Sequence, residues 1–167
     1  MTVVSIFKAG SSVLKGSNTE VTHFGSAELY SLIQHLFENM RYHNGVGLAA
    51  PQVGVAKMIL VYGVDKNPRY PDAAFIPDSV LINPEIYFYS EEKQEYYEGC
   101  LSLPKLRGLV GRSTLIKYRA YTPDGKKIDK TATGFEARII QHEVDHLKGL
   151  LYPSRMKDMG TFMYTET

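Results

Sequence analysis

The residues most suited to chemistry in this 167-residue chain stand in the run His142-Glu143-Val144-Asp145-His146. On a helix, positions i and i+4 lie one turn apart on the same face, so both imidazoles can reach one metal ion. Glu143 is turned about 100° from His142. That is too far round to join as a ligand, but it suits a general base acting on a water at the metal. A catalytic tetrahedral centre needs a third protein ligand and one open position. Downstream positions do not supply it: Tyr152 stands where a third histidine is wanted, and only Glu166 lies farther along. Upstream, the one cysteine sits in Glu98-Gly99-Cys100-Leu101-Ser102-Leu103-Pro104. A lone cysteine is more often a small buried apolar residue. Here Gly99 and Pro104 point to a loop or strand edge with open backbone, and Cys-His-His is a known catalytic zinc arrangement. A thiolate also suits ferrous iron, cobalt or nickel.

Three chemistries fit these residues. One is a metal-dependent amide hydrolase held by Cys100, His142 and His146. A second is a metallopeptidase using the histidine pair, with no need of Cys100. The third is a closed metal or peptide-binding module, whose fourth ligand would come from His23, His35 or His43.

Two helices frame the elements that must position such a site. Over 26–44, Leu29, Leu32, Ile33, Leu36, Phe37 and Met40 recur at the spacing of one apolar face, with Ser26 as N-cap and Gly45 as stop. A second helix is expected over 135–148, capped by Thr133 or Gly134 and closed by Gly149. Between them, 45–54 holds Gly45, Gly47, Pro51 and Gly54 and reads as a shaped loop. Strands are expected at 58–64, 80–83, 85–90 (split by Pro84) and 114–121. A return strand at 126–131 follows the Pro123-Asp124-Gly125 turn, and 65–79 reads as surface loop. Strands grouped between helices predict an α+β fold: short, mostly antiparallel strands around a central helix carrying the histidine pair, with an amphipathic helix N-terminal to them. Length predicts a single domain over 1–167. The tail 153–167, with Pro153, Gly160 and three threonines, is poor helix material and is expected to be extended.

Composition narrows the classes. Apolar residues at 44% and charged residues at 22% are those of a globular chain. Lys and Arg number 19 against 18 Asp and Glu, a net charge of +1, which argues against nucleic-acid binding driven by bulk charge. No apolar run reaches the roughly 18 residues of a membrane span. One cysteine excludes an internal disulfide, and the N-terminal run lacks the pattern of a secretory signal or an Arg-rich transit peptide.

Three segments also coincide in order: Gly45-Val46-Gly47-Leu48-Ala49-Ala50-Pro51-Gln52, then Glu98-Gly99-Cys100-Leu101-Ser102, then Gln141-His142-Glu143-Val144-Asp145-His146-Leu147-Lys148-Gly149. In them the chain resembles the peptide deformylase family, over about residues 5–155. The resemblance implies hydrolysis of the N-formyl group from nascent polypeptides that begin with formyl-methionine. It implies one divalent ion per chain on Cys100, His142 and His146, Fe²⁺ in the cell and Zn²⁺, Ni²⁺ or Co²⁺ in preparations. Glu143 becomes the proton carrier, and Gln52 with the Leu101 backbone N–H becomes the cradle of the oxyanion. Gly45, Val46, Gly47, Phe135 and Ile139 are then candidates for the substrate cleft. Among them Val46, Phe135 and Ile139, with Leu101, are apolar enough to take a methionine side chain and to reject a charged one. Weak preference is expected at later positions, held by main-chain bonds. Arg107 is expected to face the peptide and Arg112 to pair with Glu98. Gly111 replaces a proline common in the family, so 107–112 is expected to form a looser loop. The partners implied are formyl-methionyl peptides and nascent chains, with transient ribosome contact and no membrane. The implied location is the bacterial cytoplasm, or an organelle if a transit peptide lies outside this sequence. The non-helical tail resembles the branch that includes organellar members.

Overall fold

A computed structural model describes residues 2–165. Helix α1 spans Ala27–Tyr42. The Ser26 hydroxyl accepts from the Leu29 N–H at 3.1 Å and caps it. Leu29, Ile33, Leu36 and Met40 form its buried face. The helix ends one residue earlier than Gly45 suggests. Asn44 takes the left-handed conformation (φ 57°), and the Gly45 N–H returns to the Met40 carbonyl at 2.8 Å. Asparagine is the residue other than glycine that tolerates this best.

The stretch 45–54 is more ordered than a loop. Gly47–Ala49 forms strand β1, and Ala50–Val53 forms a 3-10 turn. Strand β2, Ile59–Val64, is buried at every position. Its alternation explains why: Ile59 and Val61 pack with the α1 face, whereas Leu60, Tyr62 and Val64 pack with the second helix on the other side. Strand β3 runs unbroken through Ile76–Tyr89, so Pro84 does not divide it, and 76–79 is strand rather than loop. The register slips between Ile82 and Glu85. Pro84, which has no N–H to offer, sits in that slip. Asn83 beside it has φ 50°. Its side-chain amide bonds both the N–H and the carbonyl of Val21 at 2.9 Å.

Strands β4 (Lys93–Cys100) and β5 (Leu103–Ser113) form a hairpin that sequence pattern alone does not reveal. They pair from Lys93↔Ser113 to Cys100↔Leu103. Segment 107–112 is therefore strand, not a loose loop, and Gly111 lies opposite Glu95. Strands β6 (Leu115–Tyr121) and β7 (Lys127–Thr133) complete the second hairpin. The main sheet is ordered β1-β2-β3-β6-β7, and a smaller sheet pairs β4 and β5 with β8, Met163–Tyr164. All these pairings are antiparallel, and the fold is α+β.

Helix α2, Gly134–Leu147, follows Thr133, whose side chain makes no capping bond. It ends where Gly149 takes φ 77°, with the Leu150 N–H returning to the Asp145 carbonyl at 2.8 Å. A Cβ on Gly149 would stand 2.5 Å from the Lys15 carbonyl carbon, and one on Gly16 (φ 94°) 2.8 Å from the Lys148 carbonyl oxygen. Two glycines thus clasp the N-terminal segment against the end of α2. The tail makes 3-10 turns at Tyr152–Arg155 and Met159–Thr161 before β8, with no α-helix among the described residues. Its last two residues, Glu166 included, lie outside them. Among the described residues, no helix is long and apolar enough to cross a membrane.

Candidate metal centre

Cys100 closes β4, while His142 and His146 lie one turn apart on α2. Their ligand atoms all lie within 4.8 Å of one another, and the Cys100 Sγ is 3.2 Å from the His146 Nε2. No fourth Cys, His, Asp or Glu among the described residues joins the group. Burial alone would raise the Cys100 thiol, yet the charge of His146 and hydrogen bonds from both imidazoles hold it well below the ordinary thiol range. His142 moves the opposite way: burial would lower it, and Cys100 with Glu98 raises it well above the usual imidazole value. The opposite shifts favour a thiolate beside a protonated His142. A divalent ion would take the place of that proton, and one thiolate with two imidazoles is a donor set suited to it.

Behind the cluster lies a buried ionic layer. The His142 Nδ1 donates to the Glu98 Oε1 at 2.7 Å, which turns the other ring nitrogen toward Cys100. Arg112 grips Glu98 with Nε and Nη2 at 2.9 and 3.0 Å, and reaches the Asp145 Oδ2 at 2.7 Å with Nη1. The Arg112–Glu98 pair is the one the sequence suggests. Three further members are not evident there. Arg138 donates to the Glu98 Oε2 at 2.6 Å and to the Val110 carbonyl at 2.9 Å, and also bonds the Gln94 carbonyl. Asp145 is held as well by Arg155 at 2.9 and 3.1 Å. Burial opposes ionisation of Glu98, but the bonds from His142 and Arg112 prevail and keep it below the usual carboxylate range. The available signal was spacing: Arg138 is four residues before His142 and seven before Asp145, so all three share one face of α2.

Glu143 is buried, and its Oε2 has no hydrogen-bond partner among the described residues. Burial raises its pKa, against the lowering effect of His142 and His146. A Cβ on Gly47 would fall 2.5 Å from its Oε1, so glycine is required there by the carboxylate itself. Gln52 is buried on the 3-10 turn after β1. Its Oε1 accepts from the Ala49 N–H at 2.9 Å, which turns the Nε2 donors to the Ser102 Oγ at 3.2 Å and the Cys100 Sγ at 3.8 Å. Ser102, another residue missed by sequence reading, also gives its N–H to that sulfur at 3.4 Å. Gly45, Val46, Gly47, Leu101, Phe135 and Ile139 all line a cavity of about 40 Å³ together with Gln52, Glu143 and the Cys100–His142 edge. Tyr70 roofs it, 5.1 Å from the Phe135 ring. Arg107 does not line this space. It borders two larger cavities alongside, with its guanidinium 5.4 Å from the Tyr70 ring centre. His23, His35 and His43 lie apart from the cluster.

The model of the polypeptide deformylase family matches residues 3–161. The chain belongs to the peptide deformylase family. Peptide deformylase 1 of Nitrosomonas europaea is 46% identical over 162 residues, covering 97% of this chain and 92% of that protein. Two solved structures of the class I type b peptide deformylase from Acinetobacter baumannii are also similar. The Met-Ala-Ser-bound one has a TM-score of 0.90 at 40% identity, covering 93% of this chain and 99% of that one. The actinonin-bound one has a TM-score of 0.83 at 36% identity, covering 94% and 100%. As a peptide deformylase the chain is a metal-dependent hydrolase, and its activity is removal of the N-formyl group from nascent polypeptides.

Proposed function

We propose that deformylation is carried out around the 40 Å³ cavity lined by Cys100, His142, Glu143 and Gln52, where His146 completes the cluster at its edge. That convergence, from two strands' ends and one helix, is the observation that carries the reading. The thiolate and two imidazoles would hold one divalent ion, Fe²⁺ in the cell, with Zn²⁺, Ni²⁺ or Co²⁺ as substitutes. When bound, the ion supplies Lewis acidity to the formyl oxygen and to the attacking water. Glu143, raised by burial, accepts the proton from that water as its oxygen bonds to the formyl carbon. The Gln52 amide and the Leu101 backbone N–H donate to the developing oxyanion. The C–N bond then breaks, Glu143 returns the proton to the leaving amine, and formate departs.

Val46, Leu101, Phe135 and Ile139 form an apolar wall for the methionine side chain, with Gly45 and Gly47 allowing close approach of the peptide backbone. A cavity of about 40 Å³ holds a few waters and less than that side chain needs. Tyr70, which lines both this cavity and the larger one beside Phe135, is the wall that would yield. Arg107 borders the path of the peptide beyond the first residue. The Met-Ala-Ser ligand of the Acinetobacter relative supports this substrate class. The chain acts as a single catalytic domain on nascent chains in the cytoplasm, in transient contact with the ribosome. Formate release from formyl-Met-Ala tests the whole reading: turnover is expected, with loss on chelation and recovery when a divalent ion is restored. Turnover that survives exhaustive chelation overturns the metal assignment.

A further inference from the structure

We propose that the larger cavity on the Cys100–Leu101 side is a subsite for a carboxylate on the second or third residue of the substrate. This deepens the deformylase reading and rests on it. The cavity encloses about 480 Å³ and shares Cys100, Leu101 and Arg69 with the small cavity above the cluster. Lys8, Arg69, Lys105 and Arg107 line it, and no Asp or Glu among the described residues does. None of these four cations enters an ion pair among the described residues. Arg69 and Arg107 are half-buried and Lys8 and Lys105 are exposed, whereas the buried guanidinia of Arg112 and Arg138 are neutralised by Glu98 and Asp145. The contacts that the four do make are uncharged. Lys8 Nζ donates to the Ile6 carbonyl at 2.6 Å, and Arg107 Nη2 to the Arg69 carbonyl at 3.3 Å. Arg69 and Arg107 stand 5.7 and 5.4 Å from the Tyr70 ring centre. The chain's net charge is only +1, so this wall is a local excess and not a sample of the whole surface.

Position selects which residue is read. The cavity begins at Cys100 and Leu101, beside the reacting carbon. Consecutive Cα atoms lie about 3.8 Å apart, so the first side chain falls at the cluster and the next two reach the cationic wall. An aspartate or glutamate there meets unpaired cations, and a lysine is repelled by them. The selectivity acts beyond the main-chain contacts, which read no sequence.

The test uses C-terminally amidated formyl-Met-Xaa-Ala and formyl-Met-Ala-Xaa peptides, with Xaa aspartate, alanine or lysine, and compares kcat/KM by formate release. The expected result is about ten-fold preference for aspartate over lysine at one of the two positions at low salt. It should shrink to within about three-fold in 0.5 M salt as screening shortens the field. Arg69→Gln and Lys105→Gln should each reduce the aspartate-to-lysine ratio, whatever they do to the alanine peptide. Free-acid formyl-Met-Ala separates a terminal carboxylate from a side chain: a gain there with none for the amidated aspartate peptides overturns the side-chain assignment. Equal rates for the aspartate and lysine peptides overturn the subsite and leave deformylation standing. Absence of formate from every peptide overturns the underlying reading instead.

Discussion

Two buried glutamates 45 positions apart in sequence both feel the charge of His142 and are pushed in opposite directions. Glu98 accepts from His142, Arg112 and Arg138 and is held ionised. Glu143 has one oxygen with no partner among the described residues and is raised by burial. Environments that separate two like groups in this way mark the division between a fixed structural charge and a mobile proton. Glu143→Gln keeps the volume but cannot accept the proton, so turnover should fall by about 10²–10⁴ with metal content and thermal midpoint little changed. Formate release and elemental analysis check this, and activity within a few-fold of the parent would remove Glu143 from the proton-carrying role. At this scale the sequence was informative where chemistry is local. The i, i+4 histidines and the glutamate between them needed only helical geometry. Arg138 was not legible, because a charged residue on a helix reads as solvated until its distant acceptors, Glu98 and the Val110 and Gln94 carbonyls, are in place.

Helices α1 and α2 were legible because a single apolar face and a capping residue are short-range signals. The β4–β5 hairpin was not. Lys93, Gln94, Glu95, Tyr96 and Tyr97 are exposed, so β4 shows no apolar alternation, and Gly108 and Gly111 in β5 resemble loop residues. Gly108 is instead a contact: a Cβ there would stand 2.4 Å from the Met156 sulfur. Pro84 misled for a related reason, since a register slip supplies the place without a hydrogen bond that proline needs. The end of α2 carries a prediction of its own. Gly149 combines positive φ with backbone at 2.5 Å, whereas Gly25 has positive φ (72°) and open space around its Cβ position. Gly25→Ala should cost about 1 kcal/mol, and Gly149→Ala should cost more, about 2–3 kcal/mol, because strain and a backbone clash add. Urea midpoints at unchanged m-values compare them, and equal losses would show that the clasp yields freely.

Across the whole molecule, the hairpin β4–β5 interrupts an otherwise consecutive antiparallel meander between β3 and β6. Cys100 rides on that hairpin, while His142 and His146 belong to the helix packed on the main sheet. Besides the metal cluster, buried bonds join the two parts: Glu98 to His142 and Arg138, Arg138 to the Val110 carbonyl, Arg112 to Asp145, and Gln141 to Ser113. Loading a divalent ion should therefore slow amide exchange in β4 and β5 more than in β2 and β3, read by mass spectrometry of peptides from each strand. Uniform slowing would mean that the two parts open only together. The same arrangement sets the order in which the enzyme wears out. The three-ligand site is a seam where the hairpin and α2 meet through a layer of ion pairs, so its loosening would come first on heating, oxidation or ageing in storage. Activity would then decline while far-UV circular dichroism still looks intact, and a stock judged sound by its spectrum would already hold spent molecules.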